Sequence, residues 1–165
     1  MRVREAGLDD AASIASVQVA SWRDAFRGLL PDDYLDDTVD EGDRASYWSR
    51  TLGGRRGQET VLVADEHDDV VGFVHAGPSE EPAHGELFAM HVVPALRRRG
   101  IGFDLHDAAL KRLRTAGFTG AELWLLRGND PAQRFYERQG WHADGAEREG
   151  FPPTGAIELR YMRPL

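Results

Sequence analysis

Val92-Val93-Pro94-Ala95-Leu96-Arg97-Arg98-Arg99-Gly100-Ile101-Gly102 decides how this chain is read. A Val-rich strand stopped by Pro94 passes through a basic turn with two glycines into the pattern Ile101, Leu105, Ala108, Ala109, Leu113, which predicts a helix to about Ala116. The first N–H groups of a helix lack internal partners, and Gly100 and Gly102 let a ligand reach them without a Cβ in the way. Arg97, Arg98 and Arg99 add charge-assisted donors. The segment is thus suited to phosphate. A solvated basic turn capping an ordinary helix is the plainer alternative for an isolated arginine run, and the strand, turn and helix setting tips the balance against it. A dinucleotide fingerprint needs a third Gly where Leu105 stands, and no Gly-Lys-Ser/Thr sequence exists for a P-loop.

On the N-terminal side, two Val-rich runs at 60–64 and 70–75 flank an acidic turn and predict a hairpin, and a further strand covers 86–93. Before them come a short strand around Val3 and a helix from about Ala11 to Phe26, with Asp9 or Asp10 as its cap. A short helical start follows at 31–35, then a helical piece with Trp48 and Leu52 that ends at Gly53-Gly54, and a polar loop at 55–59. On the C-terminal side, Gly117 stops the helix, 121–126 reads as a strand, and Asn129-Asp130-Pro131 caps a helix to about Gln139 that Gly140 ends. Two weaker strands at 141–147 and 157–162 complete a mixed α+β plan, a single domain over 1–165.

A chain of 165 residues can bury a core without disulfides or metals. It has no Cys, which excludes thiol nucleophiles and zinc ribbons, and its net charge of −8 argues against general nucleic-acid binding. No stretch has the length and apolarity of a membrane span, and the N-terminus lacks the apolar core of a signal peptide, so a cytoplasmic protein with no membrane partner is expected. His67, His106 and His142 lack ligand spacing, so no metal is expected.

Arg97-x-x-Gly100-x-Gly102 after a Pro-terminated strand resembles the pyrophosphate-binding motif of the GNAT superfamily of acyl-CoA-dependent N-acetyltransferases, Gln/Arg-x-x-Gly-x-Gly/Ala. The segment Asn129-Asp130-Pro131-Ala132-Gln133-Arg134-Phe135-Tyr136-Glu137-Arg138-Gln139-Gly140-Trp141 is similar to that family's Asn-x-x-Ala-x-x-Phe-Tyr-x-x-x-Gly-Phe/Trp. The stretch from Ser21 to Pro31 also looks like a bacterial branch of the superfamily. Two departures stand out: Arg98 where relatives often carry Gly, and His91 where an aromatic such as Tyr is common.

The resemblance implies a mixed, mostly antiparallel central sheet flanked by helices, with a V-shaped splay between the fourth and fifth strands. It implies acetyl-CoA as cosubstrate, held by the backbone of His91, Val92 and Val93, by the loop Arg97, Arg98, Arg99, Gly100, Ile101 and Gly102, and by Asn129 and Ala132. Tyr136 aligns with the tyrosine that protonates the departing thiolate in many relatives, against packing on Trp141 or Trp124. Glu86 is the candidate base for the amine, against a solvated strand-end acid, with His84 and His91 as alternatives because imidazole titrates near neutrality. Trp22, Phe26 and Tyr34 are candidates for the acceptor wall. The function this implies is acetyl transfer to a primary amine, of a small molecule, by direct attack on the thioester. A non-catalytic acyl-CoA sensor on the same fold is the alternative, and a homodimer stays open.

Overall fold

In the computed structural model of the chain, which describes residues 1–54 and 57–165, the strand β1 (Arg2–Glu5) leads through a 3-10 turn at Leu8–Asp10 into helix α1 (Ala11–Ala25). The expected aspartate cap takes a different form. The Asp10 carboxylate turns back to accept from the Gly7 N–H at 2.7 Å and from Arg4, so the 3-10 turn, not a side-chain cap, starts α1. A single π-type turn at Tyr34–Thr38 stands where the short helical start is expected, followed by α2 (Glu41–Gly54). The expected polar loop at 55–59 lies partly outside the described residues.

Strands β2 (Thr60–Glu66), β3 (Asp69–Pro78) and β4 (His84–Val92) form an antiparallel meander, and α3 (Ile101–Thr115) follows. The chain then runs through β5 (Gly120–Leu126), α4 (Asp130–Arg138), β6 (His142–Gly150) and β7 (Ala156–Pro164). The seven strands make one sheet in the order β1-β2-β3-β4-β5-β7-β6, antiparallel except for the β4–β5 pair. This is the mixed α+β plan expected from the sequence.

Successive strand residues point to opposite faces, which sorts the core into two layers. Val61, Val63 and Phe73 pack with Ile14, Ala15, Trp48 and Leu52 of α1 and α2. Leu62, Ala64, Val74 and Ala76 pack on the other face with Leu105, Leu110 and Leu113 of α3. Gly85 is required here because an added Cβ would fall 2.6 Å from Leu113. The second layer continues across the β4–β5 line, through Leu87 on one strand and Ala121, Leu123 and Leu125 on the other.

Candidate active site

The parallel pairing of β4 and β5 runs only from His84↔Gly120 to Leu87↔Leu123. Beyond it β4 stays with β3 and β5 with β7, so the sheet opens into a V. At the apex β4 carries a bulge: Ala76 pairs with Leu87 and His75 with Ala89, leaving Phe88 as the extra residue, out of the ladder. A cleft of about 1520 Å³ fills the opening, lined by both strands, by α1, by the loop at Arg97 to Gly102 and by Tyr136 of α4.

At the cleft mouth Gly100 is the N-cap of α3 with φ +88°, a conformation that favours glycine. Gly102 is different. A Cβ there would meet nothing closer than 3.9 Å, so the protein's own packing does not demand glycine. Ile101 anchors the helix start in the core with 2% of its surface exposed. Arg98 takes φ +64°, so the arginine occupies the backbone conformation for which glycine is suited. The three arginines diverge. Arg97 is held by the Asp24 carboxylate and by Ser21, Arg99 pairs with Glu66 at 2.9 Å away from the cleft lining, and Arg98 lines the cleft with no ion pair among the described residues.

The backbone expected to be free at 91–93 is only partly so. The Val93 N–H donates to Val71 and its carbonyl accepts from Leu96, both at 2.9 Å. Because Val92 sits opposite Gly72 and His91 opposite Phe73, the alternation of an antiparallel ladder commits His91 to β3 as well. Val92 and Met90 are left with N–H and C=O groups turned toward the gap, and Met90 is the one the sequence does not single out.

His91 is fixed by side-chain bonds: Trp22 Nε1 donates to its Nε2 at 3.2 Å, and its Nδ1 lies 3.0 Å from Ser21 Oγ. An indole N–H only donates, so Nε2 is the acceptor and the ring proton sits on Nδ1. Burial, with Arg97 nearby, pushes the imidazole down to about 4. Neither nitrogen is free to take a proton from an acceptor, and His84, bonded to the Pro82 carbonyl at the paired end of β4, does not line the cleft.

Glu86 shares its register position with Glu122 at the closed end of the V, half-buried and just outside the cleft lining. Burial raises its carboxyl to about 7, with Glu122, Glu158 and Glu80 pushing the same way and Arg148 opposing. Glu158, on the same face, does line the cleft. Tyr136 is 8% exposed, lines the cleft, and packs against Trp141 with ring centroids 5.9 Å apart, so packing and a place in the cleft lining coexist. Burial moves its phenol above the ordinary range. Asn129 caps α4, accepting from the Ala132 N–H at 3.4 Å, and both residues line the cleft.

Trp22 and Phe26 line the cleft, with Phe151 edge-on to Trp22 at 5.1 Å. Tyr34 does not. It packs on the Phe26, Leu30, Leu35 and Leu126 cluster behind that wall. The sequence also misses Ser21, Gln18, His75 and Trp124, which line the cleft from three different elements. Among the described residues no group of His, Asp and Glu is arranged to hold a metal ion, and no helix is long and apolar enough to cross a membrane.

A sheet opened between two parallel strands, with a glycine-bearing helix start at its mouth, defines the acyl-CoA N-acyltransferase fold. The model of the acetyltransferase (GNAT) family matches residues 19–141. The chain is 34% identical over 139 residues to the uncharacterized N-acetyltransferase YuaI of Bacillus subtilis (strain 168), covering 82% of this chain and 76% of the relative. It is 33% identical over 144 residues to an uncharacterized N-acetyltransferase of Archaeoglobus fulgidus, covering 84% and 91%. The crystal structure of PaiA N-acetyltransferase from Thermoplasma acidophilum in complex with coenzyme A is similar in fold, with a TM-score of 0.75 at 16% identity over 96% of each chain. The chain belongs to the acetyltransferase (GNAT) family and is an acetyltransferase that draws on acyl-CoA.

Proposed function

We propose that this protein transfers the acetyl group of acetyl-CoA to a primary amine of a small molecule by direct attack on the thioester. The observation that carries the reading is the opening of the β4–β5 pair after Leu87 and Leu123, which joins the α3 start, the unpaired backbone of Val92 and Tyr136 in one cleft. The PaiA structure holds coenzyme A on a similar fold, which supports the choice of donor.

In this reading the cofactor's pyrophosphate meets the N–H groups at Gly100 to Gly102, with Arg98 beside them and Arg97 once it leaves Asp24. The pantetheine arm pairs with the Val92 and Met90 backbone. The amine nitrogen attacks the thioester carbon, the bulged backbone at Phe88 faces the developing oxyanion, and the C–S bond breaks. Glu86, poised near neutrality, takes the amine proton through an intervening water, since its side chain stops short of the cleft lining. Tyr136, kept protonated by burial, gives its proton to the thiolate. No covalent enzyme intermediate is involved.

The experiment is an acetyl-CoA turnover screen with thiol detection across polyamines, aminoglycosides, amino acids, aryl amines and peptide N-termini. Thiol release that depends on a small-molecule amine supports the reading. Acetyl-CoA binding without turnover on any acceptor contradicts it and favours a sensor.

A further inference from the structure

Phe88 and Tyr47 are large apolar side chains left 42% and 37% exposed, and both line the cleft. Apolar surface held open inside a cleft marks where the apolar part of a ligand goes. Two buried rings join them. Tyr47 meets Trp48 with centroids 5.3 Å apart, Trp48 meets His75 at 5.6 Å, and His75 meets Phe88 at 4.8 Å. Trp48 is 1% exposed and its Nε1 donates to Gln18 Oε1 at 2.9 Å, so this run of rings has a fixed floor and two open ends. Phe88 is also the bulged residue of β4, which sets one end of the run beside the backbone that faces the thioester carbonyl in the reading above.

The charges around these rings oppose a polycation. The carboxylates of the lining are Asp24 and Glu158, and arginines hold both: Arg97 holds Asp24 on the glycine-loop side, and Arg148 holds Glu158 at 2.7 Å. The acidity of the chain, −8 overall, therefore lies mostly outside the cleft. The ring faces that would attract a ligand cation carry the protein's own instead, with Arg44 4.8 Å from the Tyr47 centroid and Arg148 4.3 Å from that of Trp124. Arg44 lines the cleft with no ion pair among the described residues. A second ammonium group on the acceptor would be desolvated without a counter-ion and would meet Arg44. A flat apolar body that is uncharged at its far end fits.

We propose that the acceptor is an arylalkylamine, whose aromatic body lies between Phe88 and Tyr47 over Trp48 and whose single primary amine reaches the thioester at the bulge. Tyr47 and the Phe88 ring select the aromatic body, and Arg44 rejects a second positive charge. The inference rests on the acetyl-transfer reading of the cleft and names the acceptor class within it.

The test is steady-state thiol release at saturating acetyl-CoA with phenethylamine, hexylamine, spermidine and an aminoglycoside, for the wild type and for Tyr47→Ala, Phe88→Leu and Arg44→Glu. The wild type is expected to show a kcat/KM for phenethylamine roughly tenfold or more above that for each of the other three. Tyr47→Ala should raise the KM for phenethylamine by roughly tenfold with a smaller change in kcat, and leave CoA affinity by calorimetry as in the wild type. Phe88→Leu, which stays apolar but has no ring, should narrow the gap between phenethylamine and hexylamine. Arg44→Glu should raise kcat/KM for spermidine and not for phenethylamine. A wild type that favours spermidine or the aminoglycoside over phenethylamine, or a Tyr47→Ala protein with an unchanged KM for phenethylamine, overturns the inference and leaves acetyl transfer intact. No thiol release with any amine overturns both.

Discussion

Trp22 Nε1 donates to His91 Nε2 at 3.2 Å, and that bond joins α1 to β4 within the lining of the cleft. With Ser21 Oγ accepting from Nδ1, the imidazole is spent on structure. A His91→Gln variant, which keeps a side-chain donor and acceptor, should retain the wild-type shape of the pH–rate profile, shifted in height by less than about tenfold. Loss of an ionisation from that profile would make His91 the base.

Two histidines set an acid-side stability trend. His91 and His106, which accepts from Trp141 Nε1 at 2.9 Å, are both lowered to about 4, first by burial. Below the ordinary imidazole value of ~6.5 the unfolded chain binds these protons and the folded chain does not, so their contribution is present above that pH and is lost as pH falls toward 4. Asp10 and Asp144, lowered mainly by their arginine partners, lose theirs only below the ordinary carboxylate range. Glu86 acts in the opposite sense. Raised to about 7, it favours the fold while protonated and withdraws that support as pH rises. Thermal melts of His106→Gln should therefore show a flatter loss between pH 6.5 and 4 than the wild type, and Glu86→Gln should gain in relative stability at pH 8 with no gain at pH 4.

Gly102 separates fold from ligand. Its Cβ would find only ordinary contacts at 3.9 Å, so Gly102→Ala should leave stability unchanged or raise it by up to about 1 kcal/mol through helix propensity. CoA affinity should fall by roughly tenfold, and Gly102→Glu, which adds negative charge at the helix start, should abolish it. Undiminished CoA binding by a folded Gly102→Glu protein, measured by calorimetry, would remove the loop from the donor site.

Arg98 poses the reverse case. At φ +64° an L-residue is disfavoured by about 1–2 kcal/mol, so Arg98→Gly should recover part of that strain, less the entropy that glycine adds to the unfolded chain. The same change removes a cleft-lining guanidinium. The expected pattern is a melting temperature equal or higher, with CoA affinity lower by a fewfold and less dependent on salt.

Much of the cleft's framework is legible in the sequence because it is built from contiguous segments. The turn from Val92 to Gly102 and the run from Asn129 to Trp141 each hold their own geometry, and α3, α4 and the β4–β5 opening fall where they predict. What escaped depends on contacts between distant segments. The bulge at Phe88 exists only in register with His75 and Ala76 on β3. The commitment of Val93 depends on Val71, and the diversion of Arg97 and Arg99 depends on Asp24 and Glu66. Tyr34 is close to Trp22 and Phe26 in sequence, yet the π-type turn that carries it directs it to the Leu35 cluster and off the cleft lining. Glu86 is singled out by resemblance alone, because its raised carboxyl comes first from burial and then from Glu122 and Glu158 on other strands.

Acetyl transfer through the cleft, with Tyr136 as the proton donor to the thiolate, is tested most directly by single-turnover kinetics of Tyr136→Phe against wild type, using the amine found by the screen. The substitution keeps the ring that packs on Trp141 and Phe135 and deletes only the hydroxyl. The account predicts that acetylated amine forms roughly ten- to a thousandfold more slowly while CoA affinity and melting temperature stay near wild type, and that intact mass spectrometry finds the wild-type chain unmodified during turnover. A wild-type rate for Tyr136→Phe, or an acetylated chain that passes its acetyl group to the amine, would contradict it.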